Sequence, residues 1–315
     1  MKYRRLGRSG LKVSEISLGS WLTYGNSTEK ETATKTIDKA YELGVNFFDT
    51  ANVYAHGEAE KIVGEALRRY PRESYVVASK VFWPMGDGVN ERGLSRKHVF
   101  EQAHATLKRL GLDYIDIYYC HRYDPETPVE ETLRTFDDLV RQGKVLYIGV
   151  SEWTAAQIQE GLRVADRYLL DRIVVNQPVY NMFNRYIEKD VIPVSAANGI
   201  GQVVFSPLAQ GVLTGKYKRG AAIPQGTRAA DPKSNAWIKN LLTDDVLSKV
   251  EKLTEIAREL DMSLAQLALA WILRQPNVAS ALIGASRPEQ VVENVAAVGK
   301  TIPQEALERI EAILA

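Results

Sequence analysis

The stretch Val45-Asn46-Phe47-Phe48-Asp49-Thr50-Ala51-Asn52-Val53-Tyr54 governs how the rest of the chain is read. Its apolar start, Val45 to Phe48, has the length and character of a short buried strand. It ends on a carboxylate, Asp49, with the phenol of Tyr54 in the loop behind. Two later apolar runs also end on an ionisable side chain. Tyr75-Val76-Val77-Ala78-Ser79 leads to Lys80, and Ile115-Asp116-Ile117-Tyr118-Tyr119-Cys120 leads to His121. Three successive strand ends thus deliver a set of proton-handling groups.

Working outward, Tyr3–Leu6 and Lys12–Ser14 around Gly7-Arg8-Ser9-Gly10 read as a β-hairpin. Eight short β-like runs follow, at 16–18, 45–48, 75–79, 114–120, 145–150, 173–176, 202–205 and 281–283. Amphipathic helices are expected between them at 29–43, 59–69, 96–110, 129–142, 155–168 and 184–198. Two more, at 245–260 and 264–274, precede the last strand, and one at 288–298 follows it. Thr28-Glu29-Lys30-Glu31 has the form of a capping box. Gly44, Gly111 and Gly143 stand where helices end, and Pro128 and Pro288 where two begin.

Eight alternations of near-continuously apolar strands with helices argue a parallel sheet buried on both faces, and eight strands close a barrel. No G-x-G-x-x-G opens the first helix, which disfavours an open dinucleotide-binding sheet. The expected fold is a single-domain (β/α)8 TIM barrel over residues 1–315. The hairpin would close its bottom, and a long loop (206–243) follows strand 7. A loop of that length in a compact domain is usually functional.

Composition sets the outer bounds. The 315 residues are 45% hydrophobic and 25% charged with net charge +1, so neither nucleic acid nor a charged membrane surface is an expected partner. No apolar run reaches the ~18 residues of a membrane helix, and the basic N-terminus leads into Leu6-Gly7-Arg8 rather than a signal-like segment. The single Cys120 fits a reducing, cytoplasmic location and reads as a small buried hydrophobe.

In such a barrel reactive groups gather at the C-terminal ends of the strands. Asp49, Lys80 and His121 fall there, with Tyr54 just beyond; Ser151, Gln177, Phe205 and Gly284 to Ser286 share the level. A tyrosine with a pKa of about 10 is a poor acid near neutrality, and a nearby ammonium would lower it. Lys80 would supply that charge, Asp49 would keep it charged, and His121 would orient a carbonyl oxygen. The set suits moving a proton at a carbonyl or alcohol oxygen. His56, His98 and His104 have no such placement, the last two being expected on a surface helix.

These residues, in this order, resemble the aldo-keto reductase signature: Asp49 to Tyr54 with Gly57 and Glu60, then Lys80, then His121. The likeness runs from Leu18-Gly19-Ser20-Trp21 to Glu293-Asn294. It is nearest the branch containing the β subunits of voltage-gated potassium channels and their bacterial relatives. Lys80 to Trp83, Glu91 to His98, Pro125 to Thr132 and Phe205 to Leu208 carry it. The resemblance implies reduction of aldehydes or ketones by NADPH (NADP+ in reverse), with Tyr54 as general acid. Ser151 and Gln177 would hold the nicotinamide amide, with Asp49 and Glu152 beside them. Phe205 would stack on the ring, near Ser20 and Trp21. Ser206, Pro207, Leu208, Gln210, Lys216 and Arg228 would line the pyrophosphate under the long loop acting as a flap. Gly284, Ser286, Gln290, Glu293 and Asn294 would hold the adenosine end. Trp21, Tyr24, Phe82, Trp83, Arg122 and Tyr123, with Trp237 from the flap, would wall a pocket for a small-molecule carbonyl.

Three departures bear on these expectations. Glu152 stands where many members have Asn and channel-type members Arg. Ala285 and Gln290 occupy positions where Lys and Arg often grip the 2′-phosphate, so Arg287, Lys216 and Arg228 would take that charge and NADH stays possible. His121, where channel-type relatives often have Asn, argues for a competent reductase. The rival expectation is a cofactor-binding redox sensor acting on a channel; the start of the chain almost at the hairpin argues against it. A homo-oligomer is admitted, since relatives in this branch include tetramers and monomers. A barrel glycosidase needs a second opposed carboxylate, and Asp49 shows none.

Overall fold

The computed structural model describes residues 1–25, 28–232 and 234–315. Strands β1 (Tyr3–Arg5) and β2 (Lys12–Ser14) form an antiparallel hairpin in which Tyr3 faces Ser14 and Arg5 faces Lys12. The barrel then runs β3 (Ile16–Gly19), α1 (Lys30–Glu42), β4 (Phe47–Asp49), α2 (Glu58–Leu67), β5 (Val76–Val81), α3 (Arg96–Leu110), β6 (Ile115–Cys120) and α4 (Val129–Arg141). It continues β7 (Val145–Ser151), α5 (Ala155–Tyr168), β8 (Ile173–Gln177), α6 (Val191–Asn198), β9 (Gly201–Phe205), α7 (Asp244–Glu259), α8 (Leu264–Leu273) and β10 (Val278–Gly284). Helices α9 (Pro288–Val295) and α10 (Gln304–Leu314) complete it. Strands β3 to β10 are all parallel, and β10 closes on β3 with Gly284 beside Gly19.

The sheet is buried on both faces, and period-two alternation divides its side chains between two cores. Phe47, Val76, Ala78, Ile117, Tyr119, Val175 and Val203 point into the barrel, where Leu6 and Val13 of the hairpin join them from below. Phe48, Val77, Tyr118, Val150 and Val204 point out against the helices. Arg4 locks the hairpin on: its guanidinium donates to Leu273 O at 2.7 Å and Val278 O at 2.8 Å and pairs with Glu15 at 2.7 Å. Inside the barrel the Tyr119 ring lies across β7 at Gly149, where a Cβ would come within 2.4 Å of it.

Most element boundaries follow the sequence expectation, with instructive exceptions. Helix α1 begins at Lys30 with Glu29 as an N-cap that makes no side-chain bond. Thr28 instead bridges Tyr24, so the expected capping box does not form. Working boxes occur at Thr154 with Gln157 and at Ser263 with Gln266. The helix expected over 184–198 is a 3₁₀ turn at Tyr186–Glu188 followed by α6, because Asn181 Oδ1 accepts from both Phe183 N and Asn184 N and ties the chain into a turn. His98 is fully buried rather than on the surface, and neither ring nitrogen has a partner. The terminal helix α10 lies beyond the expected elements. No helix among the described residues is long and apolar enough to cross a membrane.

Candidate active site

Because side chains alternate, the residue two places beyond each inner-core side chain stays on the inner face, one layer nearer the mouth. Asp49 follows Phe47 in this way, Lys80 follows Ala78, His121 follows Tyr119, Gln177 follows Val175 and Phe205 follows Val203. These strands therefore bring the expected groups to one level. Lys80, fully buried, donates to Asp49 Oδ1 and to Thr50 O at 2.8 Å. Asp49 Oδ2 accepts from Gln177 Nε2 at 2.9 Å, and Gln177 O accepts from Ser151 Oγ at 2.8 Å. Burial pushes the Asp49 carboxyl up and the Lys80 ammonium down, and their mutual attraction opposes both shifts.

Tyr54 opens a short turn, Tyr54–Gly57, in which Ala55 (φ 47°), His56 (φ 50°) and Gly57 (φ 90°) are successively left-handed. A Cβ at Gly57 would lie 2.6 Å from Arg109 Cδ, so glycine is required there twice over. The turn sets the Tyr54 ring edge-on to His121 at 5.7 Å and 5.0 Å from Lys80 Nζ. Burial, then the Asp49 charge, raises the Tyr54 phenol well above its usual value, with Arg122 opposing. The lowering expected from Lys80 does not emerge, because burial and the Asp49 charge outweigh it. His121 is driven well below its usual range by burial, then by Lys80 and Arg122. In both groups burial disfavours the charged form.

The model of the aldo/keto reductase family matches residues 15–315. The chain belongs to that family. It is 48% identical over 301 residues to an Arabidopsis thaliana protein named "Probable voltage-gated potassium channel subunit beta", covering 95% of this chain and 91% of that one. A protein of the same name from Oryza sativa subsp. japonica is 45% identical over 319 residues, covering 100% and 97%. Membership in the aldo/keto reductases supports an oxidoreductase.

The other expected site residues divide into those at the mouth and those behind it. Trp21 stands edge-on to Phe205 at 6.5 Å and to Trp237 at 5.3 Å, so the long loop does reach the mouth. Ser20 is buried and donates to Thr50 Oγ1 at 2.9 Å. Arg122 donates to His121 O at 2.5 Å and Ser151 Oγ at 3.4 Å, and lies 5.6 Å from the Trp83 ring. Phe82 packs on Trp83 at 5.0 Å. Two expected pocket residues are corrected. Tyr24 is 1% exposed and belongs to the outer core, and Tyr123 turns to the helix layer, against Trp153 and toward Glu160 on α5. Glu152 (φ 58°) is not a loose charge: its Oε1 accepts from Val179 N at 2.5 Å and Tyr186 Oη at 3.2 Å.

In the loop after β9, Ser206 (φ 52°) and Gln210 (φ 59°) are left-handed, Gln210 donates to Ser206 Oγ at 2.6 Å, and Arg228 donates to Gln210 Oε1. Pro207 is buried, and Leu208 packs on the outer core. Burial lowers the Lys216 ammonium, and the charges of Arg228 and Arg287 lower it further, so three cations converge here. After β10, Gly284, Ser286 and Glu293 are exposed and Asn294 is buried, while Gln290 Oε1 accepts from Ser286 N at 2.8 Å. Ala285 is buried and brings no charge. Two further residues support the site without a role expected from the sequence: Thr50, whose carbonyl holds Lys80, and Glu60. Glu60 is fully buried, accepting from Ser79 Oγ at 2.6 Å and Arg109 Nε at 2.5 Å. Besides its place in the family signature, its sequence signal is a carboxylate on the apolar face of α2.

Proposed function

We propose that this chain reduces aldehydes and ketones to alcohols with NADPH. What supports the reading is that Asp49, Lys80 and His121 share one inner layer with the Tyr54 ring 5.7 Å from His121 and 5.0 Å from Lys80 Nζ, and that burial raises the Tyr54 phenol and lowers the His121 imidazole. The residues present suit the dinucleotide. Lys216, Arg228 and Arg287 repel one another in a way an anionic phosphate would relieve, and Phe205 offers a half-buried ring beside Trp21. Gln177 and Ser151 bring an amide and a hydroxyl to the same level.

When bound, the reduced nicotinamide supplies a hydride to the carbonyl carbon. Tyr54 donates its phenolic proton to the carbonyl oxygen, and the neutral His121 imidazole holds that oxygen by a hydrogen bond. Lys80, anchored by Asp49 and Thr50, stabilises the negative charge left on Tyr54. Trp21 and Trp237 cover the mouth and limit water. Arg287, held among the described residues only by a long, exposed ion pair with Glu289 (3.8 Å), would turn to a 2′-phosphate where Ala285 and Gln290 bring no charge, so NADPH is preferred over NADH. We also propose a cytoplasmic location, supported by a lone buried thiol at Cys120.

The test begins with quenching of the five tryptophans by NADPH and NADH in parallel, followed by turnover of a carbonyl panel. Tighter NADPH binding and turnover abolished by Tyr54→Phe are expected; binding of neither nucleotide overturns the reading. The names of the relatives favour a second reading, a cofactor-binding regulatory subunit of a membrane channel. Stable capture of a channel protein together with negligible turnover on every carbonyl would replace the first reading by this one.

A further inference from the structure

Among the described residues at the mouth, Arg122 is a charged group whose recognition edge has no use in the mechanism above. Its Nη1 is committed, to His121 O at 2.5 Å and Ser151 Oγ at 3.4 Å, which fixes the plane of the guanidinium. Among the described residues, no acceptor lies on its Nε or Nη2, and neither is sealed from solvent. The carboxylates nearby are engaged elsewhere. Asp49 holds Lys80 and Gln177, Glu152 holds Val179 N and the Tyr186 hydroxyl, and Glu160 receives Tyr123. Side-on, the Nε and Nη2 donors form the planar fork that binds a carboxylate through two parallel bonds.

A chain of ring contacts runs from the reacting groups to that fork. Tyr54 is 5.7 Å from His121, His121 is 6.3 Å from Trp83, and the Arg122 guanidinium is 5.6 Å from the Trp83 ring. Trp83 is 38% exposed and walls the space between them. A carbonyl oxygen held by Tyr54 and His121 thus leaves the far end of a small flat substrate beside Arg122. We infer that Arg122 selects carbonyl substrates that carry a carboxylate about one ring's width from the reacting carbon, such as carboxylated aromatic aldehydes. The inference rests on the reductase reading and adds the substrate class to it.

The experiment compares kcat/KM for 4-carboxybenzaldehyde and its methyl ester, which differ in charge and little else, with NADPH saturating. A charge-assisted bidentate contact predicts that the acid is preferred by between about tenfold and a hundredfold. In Arg122→Met the acid-to-ester ratio falls to near one, and in Arg122→Lys it lies between. If Arg122→Met does not fold, salt gives the same answer in the unaltered protein, where raising ionic strength should lower the ratio. Equal turnover of acid and ester by the unaltered protein overturns the inference and leaves the reductase reading standing. So does an Arg122→Met variant that weakens NADPH binding and slows both substrates alike, which would make Arg122 a cofactor contact. Turnover of neither compound, nor of any other carbonyl, overturns the reductase reading itself.

Discussion

Replacing Glu60 by glutamine tests the support behind the strand that carries Lys80. Glu60 is fully buried on α2; one oxygen accepts from Ser79 Oγ at 2.6 Å, next in sequence to Lys80, and the other from Arg109 Nε at 2.5 Å. Glutamine preserves shape and one acceptor but strips Arg109 of its counter-charge. Removing one partner of a buried pair costs about 3–5 kcal/mol. The Arg109 side chain keeps 17% of its surface in water and a bond to Thr106 Oγ1 at 3.3 Å, which points to the lower end, about 3 kcal/mol. Over 315 residues an unfolding entropy of about 2.1 cal/mol/K each gives about 0.7 kcal/mol/K, so Tm should fall by about 4–5 °C. Calorimetry of the two proteins at one pH reads this directly. The double variant Glu60→Leu with Arg109→Met should recover more than half of the loss, since neither charge is then stranded. A fall below about 1 °C, or a double variant as unstable as the two single losses together, would refute the reasoning.

Tyr54→Phe should lower kcat by about 10²–10⁴-fold while tryptophan quenching by NADPH is retained, because the lost group moves a proton and binds no phosphate. Lys216→Met and Arg228→Met should each weaken NADPH binding by about tenfold and NADH binding by less, read by the same titration. His98 gives a pH signature. Its pKa is lowered by burial, so below the ordinary value of about 6.5 the unfolded chain binds a proton that the folded chain refuses, and stability falls as pH drops. Urea unfolding at pH 7.5 and 5.5 should show the unaltered protein losing up to about 1.4 kcal/mol more than His98→Phe over that interval. Equal losses would mean that His98 takes up its proton in the folded state.

The barrel was legible because its signal is repeated: strand after strand is apolar on both faces, and the ionisable residue at each end stands out against that background. The same alternation brought Asp49, Lys80, His121, Gln177 and Phe205 to one level, since each lies two places beyond an inward side chain. What stayed hidden depends on partners distant in sequence. Nothing local says that Tyr24 and Tyr123 turn into the outer layer, or that Thr28 bridges Tyr24 and leaves α1 uncapped. Nor does local sequence show how completely Tyr54 is buried, which, with the Asp49 charge, is why the expected lowering of its pKa failed.

That failure sharpens the chemistry. A phenol raised by burial is a weaker acid in the free site, so in the proposed mechanism its proton moves only as the carbonyl oxygen gains electron density from the incoming hydride. In the proposed mechanism Lys80 would act late, on the phenolate, and its bonds to Asp49 and Thr50 would hold it for that moment. Lys80 and Asp49 are matched to each other, and on our proposal it is the Arg122 edge, with no acceptor on Nε or Nη2 among the described residues, that selects the substrate.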